Sequence, residues 1–282
     1  MKFIRKGNET VIQVSESERI PYLFSPSFDQ TGLVKHLFTT RIGGVSKEEL
    51  SSLNLSYSRG DRKENVDENF KRVAEVFHKT INDFVLSDQT HTTNIRVVTA
   101  ADIGKGITKK RDYHDIDGLI TNQSGIILAT FFADCVPLFF LDPKHHAIGL
   151  SHSGWKGTAL RMGEKTLQKM QETFQTDPKD VLVLIGPSIC ADCYEVSDDV
   201  AQCFEKEFMD SAALKEIVTP NKNGKFQLDL WKANETLLLE AGIQKKNLTI
   251  TDICTCCNKE LLFSHRGSHG KRGNLGAFLM LN

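Results

Sequence analysis

The amino-acid sequence predicts an α+β fold, a single domain in which mixed β-sheets are packed between helices as a layered sandwich. Short apolar and β-branched runs recur along the chain, and longer segments with apolar residues every three or four positions lie between them. No internal repeat or Pro/Ser-rich linker divides the 282 residues. At this length roughly three quarters of the unfolded surface can be buried, so a core needs no disulfide or structural metal. We expect one domain over residues 1–282, with residues 1–36 as a β-rich N-terminal region.

The predicted strands are short, and turn-forming Gly, Pro and Asp residues lie between them. They cover Thr10–Val14, Leu33–Thr40, Phe84–Ser87, Ile95–Thr99, Leu119–Thr121, Ile126–Phe132, Pro137–Leu141, Ala147–His152, Val181–Ile185, Leu248–Ile253 and Ala277–Leu281. The runs between 119 and 152 are almost continuously apolar, which indicates adjacent strands that are buried on both faces.

The predicted helices are amphipathic. In the first of them, Val66, Phe70, Val73 and Phe77 lie three or four positions apart with charged residues between them. The same pattern predicts helices over Asn65–Phe77, Ala159–Phe174, Asp198–Phe208 and Leu230–Ala241. Gly242 follows the last of these and suits a C-terminal cap.

Composition and charge exclude several functional classes. Lys and Arg number 35 against 36 Asp and Glu, so the net charge of -1 creates no field that would attract nucleic acid or an anionic membrane. The longest apolar stretch, at 126–141, is interrupted by Asp134, Cys135 and Pro137 and is shorter than the ~20 residues of a membrane span. The basic run at 109–111 is interpreted as a mobile, charged loop. No apolar segment typical of a signal peptide follows the first charged residues, so we expect a cytoplasmic protein with reduced cysteines that acts on small molecules.

Three side chains that can ligate a metal lie beside the predicted strands. His91 is in a polar loop, Cys135 follows the run that ends at 132, and His152 ends the run that begins at 147. Two imidazoles and one thiolate suit Zn²⁺ and leave a fourth position for water or substrate, as catalytic zinc requires. Cys135 and His152 also match the nucleophile and base of a metal-free hydrolase or deamidase, or they belong to the core. Sequence spacing does not decide between these alternatives.

Two Cys-x-x-Cys pairs resemble the halves of a structural zinc site. They are Cys190 with Cys193 and Cys254 with Cys257. The 60 residues between the pairs far exceed the ~15–20 of a zinc ribbon. We therefore expect buried or partly exposed thiols that are vulnerable to oxidation, and leave the roles of these residues and of Cys256 open.

A series of sequence blocks is specific in combination. The two most specific blocks are Thr-Thr-Arg-Ile-Gly-Gly-Val-Ser at 39–46 and His-Ser-Gly-Trp-Lys-Gly-Thr at 152–158. The other blocks are Ser52–Leu55, Gly60–Asp61, Gln89–His91, Asp115–Asp117, Ala133–Cys135, Gly186–Ile189, Cys193–Val196, Phe263–Arg266 and Gly270–Arg272. From about Phe38 to the last residue, the chain thereby resembles the laccase-domain family, also called multicopper polyphenol oxidases.

The resemblance implies a zinc-dependent purine nucleoside phosphorylase with adenosine deaminase activity. Its substrates would be phosphate and a purine nucleoside (adenosine, inosine, guanosine or methylthioadenosine), and its products the free base and ribose 1-phosphate. Carried over to this chain, the zinc ligands fall on His91, Cys135 and His152. Some relatives are instead described as peptidoglycan editing factors. Copper-dependent phenol oxidation needs several copper ions and many His ligands, and the chain has 9 His, so zinc is expected rather than copper.

The implied reactions assign roles to further residues. Phosphorolysis requires an anion site beside the anomeric carbon, and we expect Arg41 with the Gly43-Gly44 turn to bind phosphate and to support catalysis. Asn54 is assigned to the same substrate-binding group. Asp134, next to Cys135, is expected to shuttle protons in deamination, the alternative being that it only orients the site. The preferred nucleoside, the dominant reaction and the oligomeric state stay open.

Overall fold

The structure, a computed structural model, describes residues 1–15 and 19–282. The strands within these residues are β1 (Gln13–Ser15), β2 (Tyr22–Phe24), β3 (Val34–Thr39), β4 (Phe84–Leu86), β5 (Ile95–Val97), β6 (Gly118–Thr121), β7 (Ile127–Phe132), β8 (Val136–Asp142), β9 (Ala147–Ser153), β10 (Leu182–Ile185), β11 (Glu195–Val196), β12 (Val218–Pro220), β13 (Phe226–Leu228), β14 (Leu248–Ile250) and β15 (Leu275–Leu281). The α-helices are α1 (Pro26–Asp29), α2 (Lys63–Val76), α3 (Trp155–Ala159), α4 (Met162–Phe174), α5 (Asp198–Glu207), α6 (Leu214–Ile217) and α7 (Leu230–Glu240).

Two six-stranded mixed sheets form the centre of the molecule. The first has the order β1-β2-β3-β15-β7-β4, with β4 parallel to β7 and the other neighbours antiparallel. The second has the order β14-β10-β8-β9-β6-β5, in which β14 is parallel to β10 and β5 is parallel to β6. The strands β11-β13-β12 form a small third sheet.

Successive side chains of a strand point to opposite faces of the sheet, so each large sheet contributes to two layers of the core. In β15, Leu279 points into the core that the two large sheets share, whereas Phe278 points outward and packs with Phe70 of α2. The outer face of the second sheet packs on α4, α5 and α7. The order helix, sheet, sheet, helices confirms the predicted α+β class with mixed sheets packed between helices.

Most predicted elements are present, but one helix boundary is wrong. The predicted helix Ala159–Phe174 is two helices, because α3 ends at Ala159 and Arg161 has a left-handed backbone with φ 61° before α4 begins. The Arg161 guanidinium binds Glu164, Glu207 and Glu240, which joins α4, α5 and α7. These tertiary contacts fix a conformation that the helical pattern does not indicate.

The N-terminal region departs from the prediction in detail. The first strand begins at Gln13 rather than Thr10, and the short elements β2 and α1 were not predicted. Residues 16–18, which belong to the β-rich region expected over residues 1–36, lie outside the described residues. None of the described helices combines the length and apolar character that a membrane-spanning helix requires.

Candidate active site

The folded chain brings His91, Cys135 and His152 together beside the second large sheet. Cys135 ends the tight turn between β7 and β8, and His152 lies in β9, where it pairs with Pro137 of β8. His91 is in the loop that follows β4. One ligand-type atom from each of the three side chains lies within 4.8 Å of the others. These three residues are called the ligand trio below.

Gly154 is required for the close approach of the ligand trio. A Cβ atom at Gly154 would lie 3.0 Å from Cys135 Sγ and 3.1 Å from His91 Cδ2. Both distances are shorter than ordinary van der Waals contacts. The glycine in the block at 152–158 therefore leaves space for the ligand trio.

Asp117 orients two members of the ligand trio through hydrogen bonds, a role that the sequence analysis did not predict. Its carboxylate accepts a hydrogen bond of 2.8 Å from His152 Nδ1 and accepts from the backbone N–H groups of Thr90, His91 and Thr92 at 3.0–3.1 Å. With Nδ1 as donor, His152 Nε2 is free to act as a ligand. The block Asp115–Asp117 contains the signal, but its pattern does not tell which carboxylate turns inward.

The side chains of the ligand trio and Asp117 shift one another's pKa values. Burial would raise the pKa of the Cys135 thiol, but the His152 and His91 imidazoles lower it to about 6. Burial lowers the pKa of His152, while the Cys135 thiolate and Asp117 raise it to a net value of about 9. Burial also acts to raise the pKa of Asp117, but its hydrogen bonds hold it below the usual value. The thiolate, which is the form of cysteine that binds metals, is thus favoured near neutral pH.

The donor set of the ligand trio fits a zinc ion. Two imidazole nitrogens and one thiolate provide three of the four ligands of a tetrahedral site, and Asp117 supports one imidazole as carboxylates do in zinc proteins. His91 is exposed, so one side of the site is accessible.

A cavity of about 330 Å³ opens in front of the ligand trio. Its lining contains both apolar and basic side chains. The apolar side chains are those of Leu55, Leu86 and Phe131, and the basic ones are those of Arg59, Arg111 and Arg272. A cavity with both characters accommodates a flat apolar ring together with an anion.

Arg59 and Arg272 are the cavity-lining cations that suit an anion best. Arg272 Nε is buried and has no hydrogen-bond partner among the described residues. Burial lowers the pKa of Arg272 to about 10, and the positive charge of Arg59 acts in the same direction. Arg111 differs, because it forms an ion pair of 2.8 Å with Asp88 and donates to the Ser87 carbonyl. The prediction of a mobile loop is therefore wrong for Arg111, which is held against the cavity.

The structure does not bring Arg41, Gly43 and Gly44 to this cavity. Arg41 Nε and Nη1 donate to the carbonyls of Ser51 and Lys259 at 2.8 and 2.9 Å. A Cβ at Gly44 would lie 2.1 Å from the carbonyl oxygen of Ser52. The block at 39–46 thus closes a tightly packed loop, which explains its Arg and Gly residues without a phosphate.

Asn54 and Asp134 lie behind the cavity wall. Asn54 is buried, and its Oδ1 accepts from the backbone N–H groups of two cavity residues, Ser56 and Asn274, at 3.1 and 3.0 Å. The Asp134 carboxylate accepts 2.7 Å hydrogen bonds from the Thr255 hydroxyl and the Arg266 backbone N–H. These contacts favour the alternative that Asp134 orients the turn that carries Cys135, and proton transfer by Asp134 stays a prediction.

Comparison with known proteins shows the family. Residues 35–282 match the family model described as multi-copper polyphenol oxidoreductase laccase. The chain is 35% identical over 248 residues to purine nucleoside phosphorylase YlmD of Bacillus subtilis, covering 86% of each chain. It is 31% identical over 273 residues to a purine nucleoside phosphorylase of Bacteroides thetaiotaomicron, covering 96% of this chain and 100% of that protein. The crystal structure of YlmD from Geobacillus stearothermophilus superposes with a TM-score of 0.89 at 32% identity, covering 97% of this chain and 100% of that one. The chain therefore belongs to the multi-copper polyphenol oxidoreductase laccase family.

Proposed function

We propose that this protein is a zinc-dependent purine nucleoside phosphorylase. The observation that carries the proposal is the placement of the ligand trio in a cavity whose lining includes Arg59 and Arg272. Relatives named purine nucleoside phosphorylase support the reaction class. The proposed substrates are phosphate with adenosine, inosine, guanosine or methylthioadenosine, and the products are the free base and ribose 1-phosphate.

Arg59 and Arg272 are the proposed phosphate-binding residues. Two neighbouring guanidinium groups repel each other, and a phosphate between them would relieve that repulsion and supply acceptors for the unpartnered Nε of Arg272. Guanidinium groups bind phosphate through paired, charge-assisted hydrogen bonds. Held in this way, a phosphate oxygen can be kept close to the anomeric carbon of a bound nucleoside.

Phe131 offers an apolar face for the purine ring. Its backbone N–H donates to Gln89 Oε1 at 2.7 Å, and Gln89 Nε2 donates back to its carbonyl at 2.8 Å. This pair of hydrogen bonds fixes the end of β7 next to the cavity. The aromatic ring supplies contact area for a flat base without ordering a flexible side chain.

Zinc is the proposed metal, bound by His91, Cys135 and His152. When bound, it would supply a Lewis acid with one open coordination position. Asp117 holds the His152 ring so that Nε2 faces the metal position. Within residues 1–15 and 19–282, the other converging group of metal-ligating side chains consists of four cysteines without a His, which does not suit a multi-copper oxidase.

Adenosine deamination is the proposed second activity. It requires attack of water at C6 of the base, whereas phosphorolysis requires attack of phosphate at the anomeric carbon. The two reactions therefore differ in their need for phosphate.

Chromatography of the products from adenosine, with and without phosphate and with and without chelator, tests both activities. Without phosphate, we expect adenine and ribose 1-phosphate to disappear while inosine formation continues. Chelator should stop inosine formation and reduce phosphorolysis. Inosine or adenine formed at the full rate by metal-free protein would instead support the hydrolase or deamidase that uses Cys135 and His152.

A further inference from the structure

A second group of possible metal ligands lies apart from the ligand trio. It consists of Cys190, Cys193, Cys254 and Cys257, called the cysteine cluster below. One sulfur atom from each lies within 4.8 Å of the others. We propose that the cysteine cluster binds one structural zinc ion through four thiolates. The separation in sequence favoured buried or partly exposed thiols without a metal, but the fold brings the four sulfur atoms together.

Parallel strand pairing explains why residues so far apart in sequence meet. The strands β10 and β14 are parallel neighbours, with Ile185 opposite Ile250. The pairing continues beyond the strands as a parallel bridge between Ser188 and Cys254. Each Cys-x-x-Cys pair therefore follows one of two parallel strands and reaches the same edge of the sheet.

The distances within the cysteine cluster match a mononuclear site. Sulfur ligands at ~2.3 Å from a tetrahedral zinc are ~3.8 Å apart, and Cys193 Sγ lies 3.5 Å from Cys257 Sγ. A disulfide requires a separation of ~2.05 Å. Cysteines around an iron–sulfur cluster are farther apart, because they surround several iron atoms. Four sulfur donors in tetrahedral positions are typical of structural zinc.

Backbone hydrogen bonds support thiolates at this place. The N–H groups of Cys190 and Cys257 point at Cys254 Sγ, at 3.2 and 3.4 Å. Such donors stabilise the negative charge of a metal-bound sulfur. The first Cys-x-x-Cys pair is also closed by a turn, as Cys193 N–H donates to the Cys190 carbonyl at 3.1 Å, and the Cys254 carbonyl of the second pair accepts from Asn258 N–H at 3.2 Å.

A cation, Lys6, lies near the cysteine cluster. Zinc with four thiolates carries a net charge of 2−, and Lys6 lies near enough to interact with the charges of Cys190 and Cys257. Lys6 Nζ is held in place by Asp192, within the first Cys-x-x-Cys pair, at 2.8 Å. Because four cysteines fill all zinc positions, the site has no open position for a substrate, which indicates a structural role.

The site connects segments that position the active site. Thr255, inside the second Cys-x-x-Cys pair, donates its hydroxyl to Asp134, and Ile189 N–H donates to the Asp134 carbonyl at 3.0 Å. Zinc in the cysteine cluster would hold both segments together behind the turn that carries Cys135.

The test is the zinc content of a variant in which the ligand trio is disabled. We expect the full chain with His91→Ala and Cys135→Ala, purified from zinc-supplemented cells, to retain one zinc per chain. X-ray absorption at the zinc edge should show only sulfur neighbours at ~2.3 Å. Additional changes Cys193→Ser and Cys257→Ser should remove this zinc. As matched controls, Cys203→Ser and Cys256→Ser should retain it, since neither residue belongs to the cysteine cluster.

The variant with His91→Ala and Cys135→Ala, called the ligand-trio variant, tests the proposal even if the serine changes in the cysteine cluster prevent folding. A folded ligand-trio variant without zinc, or with nitrogen neighbours around the zinc, would overturn the proposal. So would iron or copper in place of zinc, or a mass that shows disulfides among the four cysteines. The result is independent of the proposed phosphorylase, because one sulfur-bound zinc in this variant supports the site whether or not the wild-type chain binds a second zinc.

Discussion

Asp117 controls the orientation of two of the proposed zinc ligands, because its carboxylate holds both the His152 ring and the backbone of His91. In Asp117→Asn, a neutral amide replaces an acceptor of several N–H groups. We expect the zinc affinity of the ligand trio to fall by about 10–100-fold. Competition with a chromogenic chelator measures this affinity, taken as the difference from the His91→Ala, Cys135→Ala variant, in which only the cysteine cluster can hold zinc.

Asp115→Asn is the matched control for that prediction. The Asp115 carboxylate accepts from the Thr90 hydroxyl at 2.8 Å in the same loop but does not bond to His152. Its replacement should leave zinc affinity within a factor of a few. Equal losses in both variants would mean that the loop as a whole, rather than the Asp117–His152 hydrogen bond, sets the affinity.

Two single-residue variants test whether Arg59 or Arg41 binds phosphate. Arg59→Ala removes a cavity-lining charge, and we expect KM for phosphate to rise about 10-fold or more with a smaller effect on KM for the nucleoside. Arg41→Ala should instead lower the melting temperature and leave KM for phosphate unchanged, because Arg41 bonds to two backbone carbonyls away from the cavity. A rise in KM for phosphate in Arg41→Ala but not in Arg59→Ala would reverse the assignment. Initial rates at varied phosphate concentration measure both constants.

The sequence predicts the ligand trio better than the phosphate site. Few residue types ligate zinc, so His91, Cys135 and His152 are recognisable by type and by their blocks. Arginine residues occur throughout the chain in many roles, and tertiary packing decides which of them face the cavity. Arg59 precedes one block and Arg272 ends another, but only the fold shows that they meet.

Among the secondary-structure elements, the junction between β9 and α3 has a direct effect on the site. Gly154 precedes α3 with φ -73°, a value that every residue adopts, so Gly154→Ala introduces no backbone strain. The added methyl group would press on Cys135 Sγ and His91 Cδ2. We expect lower zinc affinity and activity with nearly unchanged stability, as measured by chelator competition and thermal unfolding.

Gly157→Ala provides the control in the same short helix. A Cβ there approaches no atom closer than 3.5 Å. Because alanine is favoured over glycine inside a helix, this variant should keep its zinc affinity and be equally or more stable. A similar loss of zinc in both variants would show that α3, and not the space beside Gly154, is responsible.

A helix or strand is predicted well when the residues that determine it are close together in the sequence. The strands β7, β8 and β9 are predicted closely, because strands buried on both faces produce continuous apolar runs. The break at Arg161 was missed because two of the three Glu residues that bind its guanidinium, Glu207 and Glu240, are distant in sequence. The same limit applies to the cysteine cluster, whose members meet only through the pairing of β10 with β14.

For the whole molecule, the stability in acid depends on His36, which is buried between the two large sheets. His36 lies in β3 and its ring packs against Phe139 of β8 in the other sheet, with ring centroids 6.1 Å apart. Nε2 accepts a hydrogen bond of 2.9 Å from the Ser25 N–H, so the ring is neutral. Burial, together with the nearby Lys35, lowers the pKa of His36 from 6.5 to about 3.

This shift predicts a pH dependence of folding. Because the folded pKa lies below the unfolded one, His36 contributes its full stabilisation above pH 6.5 and loses it as the pH falls toward 3. Over that range, the free energy of unfolding of the wild-type protein should fall by up to about 1.4 kcal/mol per pH unit more than that of His36→Gln. Urea unfolding at several pH values measures the difference, and parallel curves for the two proteins would contradict the assignment.

The position of β15 in the first sheet has a consequence for the folding pathway. Gly276 N–H donates to the Thr39 hydroxyl across 237 positions of sequence, and β15 lies between β3 and β7. In the second sheet, a short loop joins β8 to β9, and the two strands can pair early. In the first sheet, β15 can pair with β3 only after most of the chain has been brought together as one long loop, which is slow. Until β15 inserts, β3 and β7 each present an unpaired edge that can pair with another chain. Aggregation during refolding should therefore depend on how quickly this one strand reaches its place.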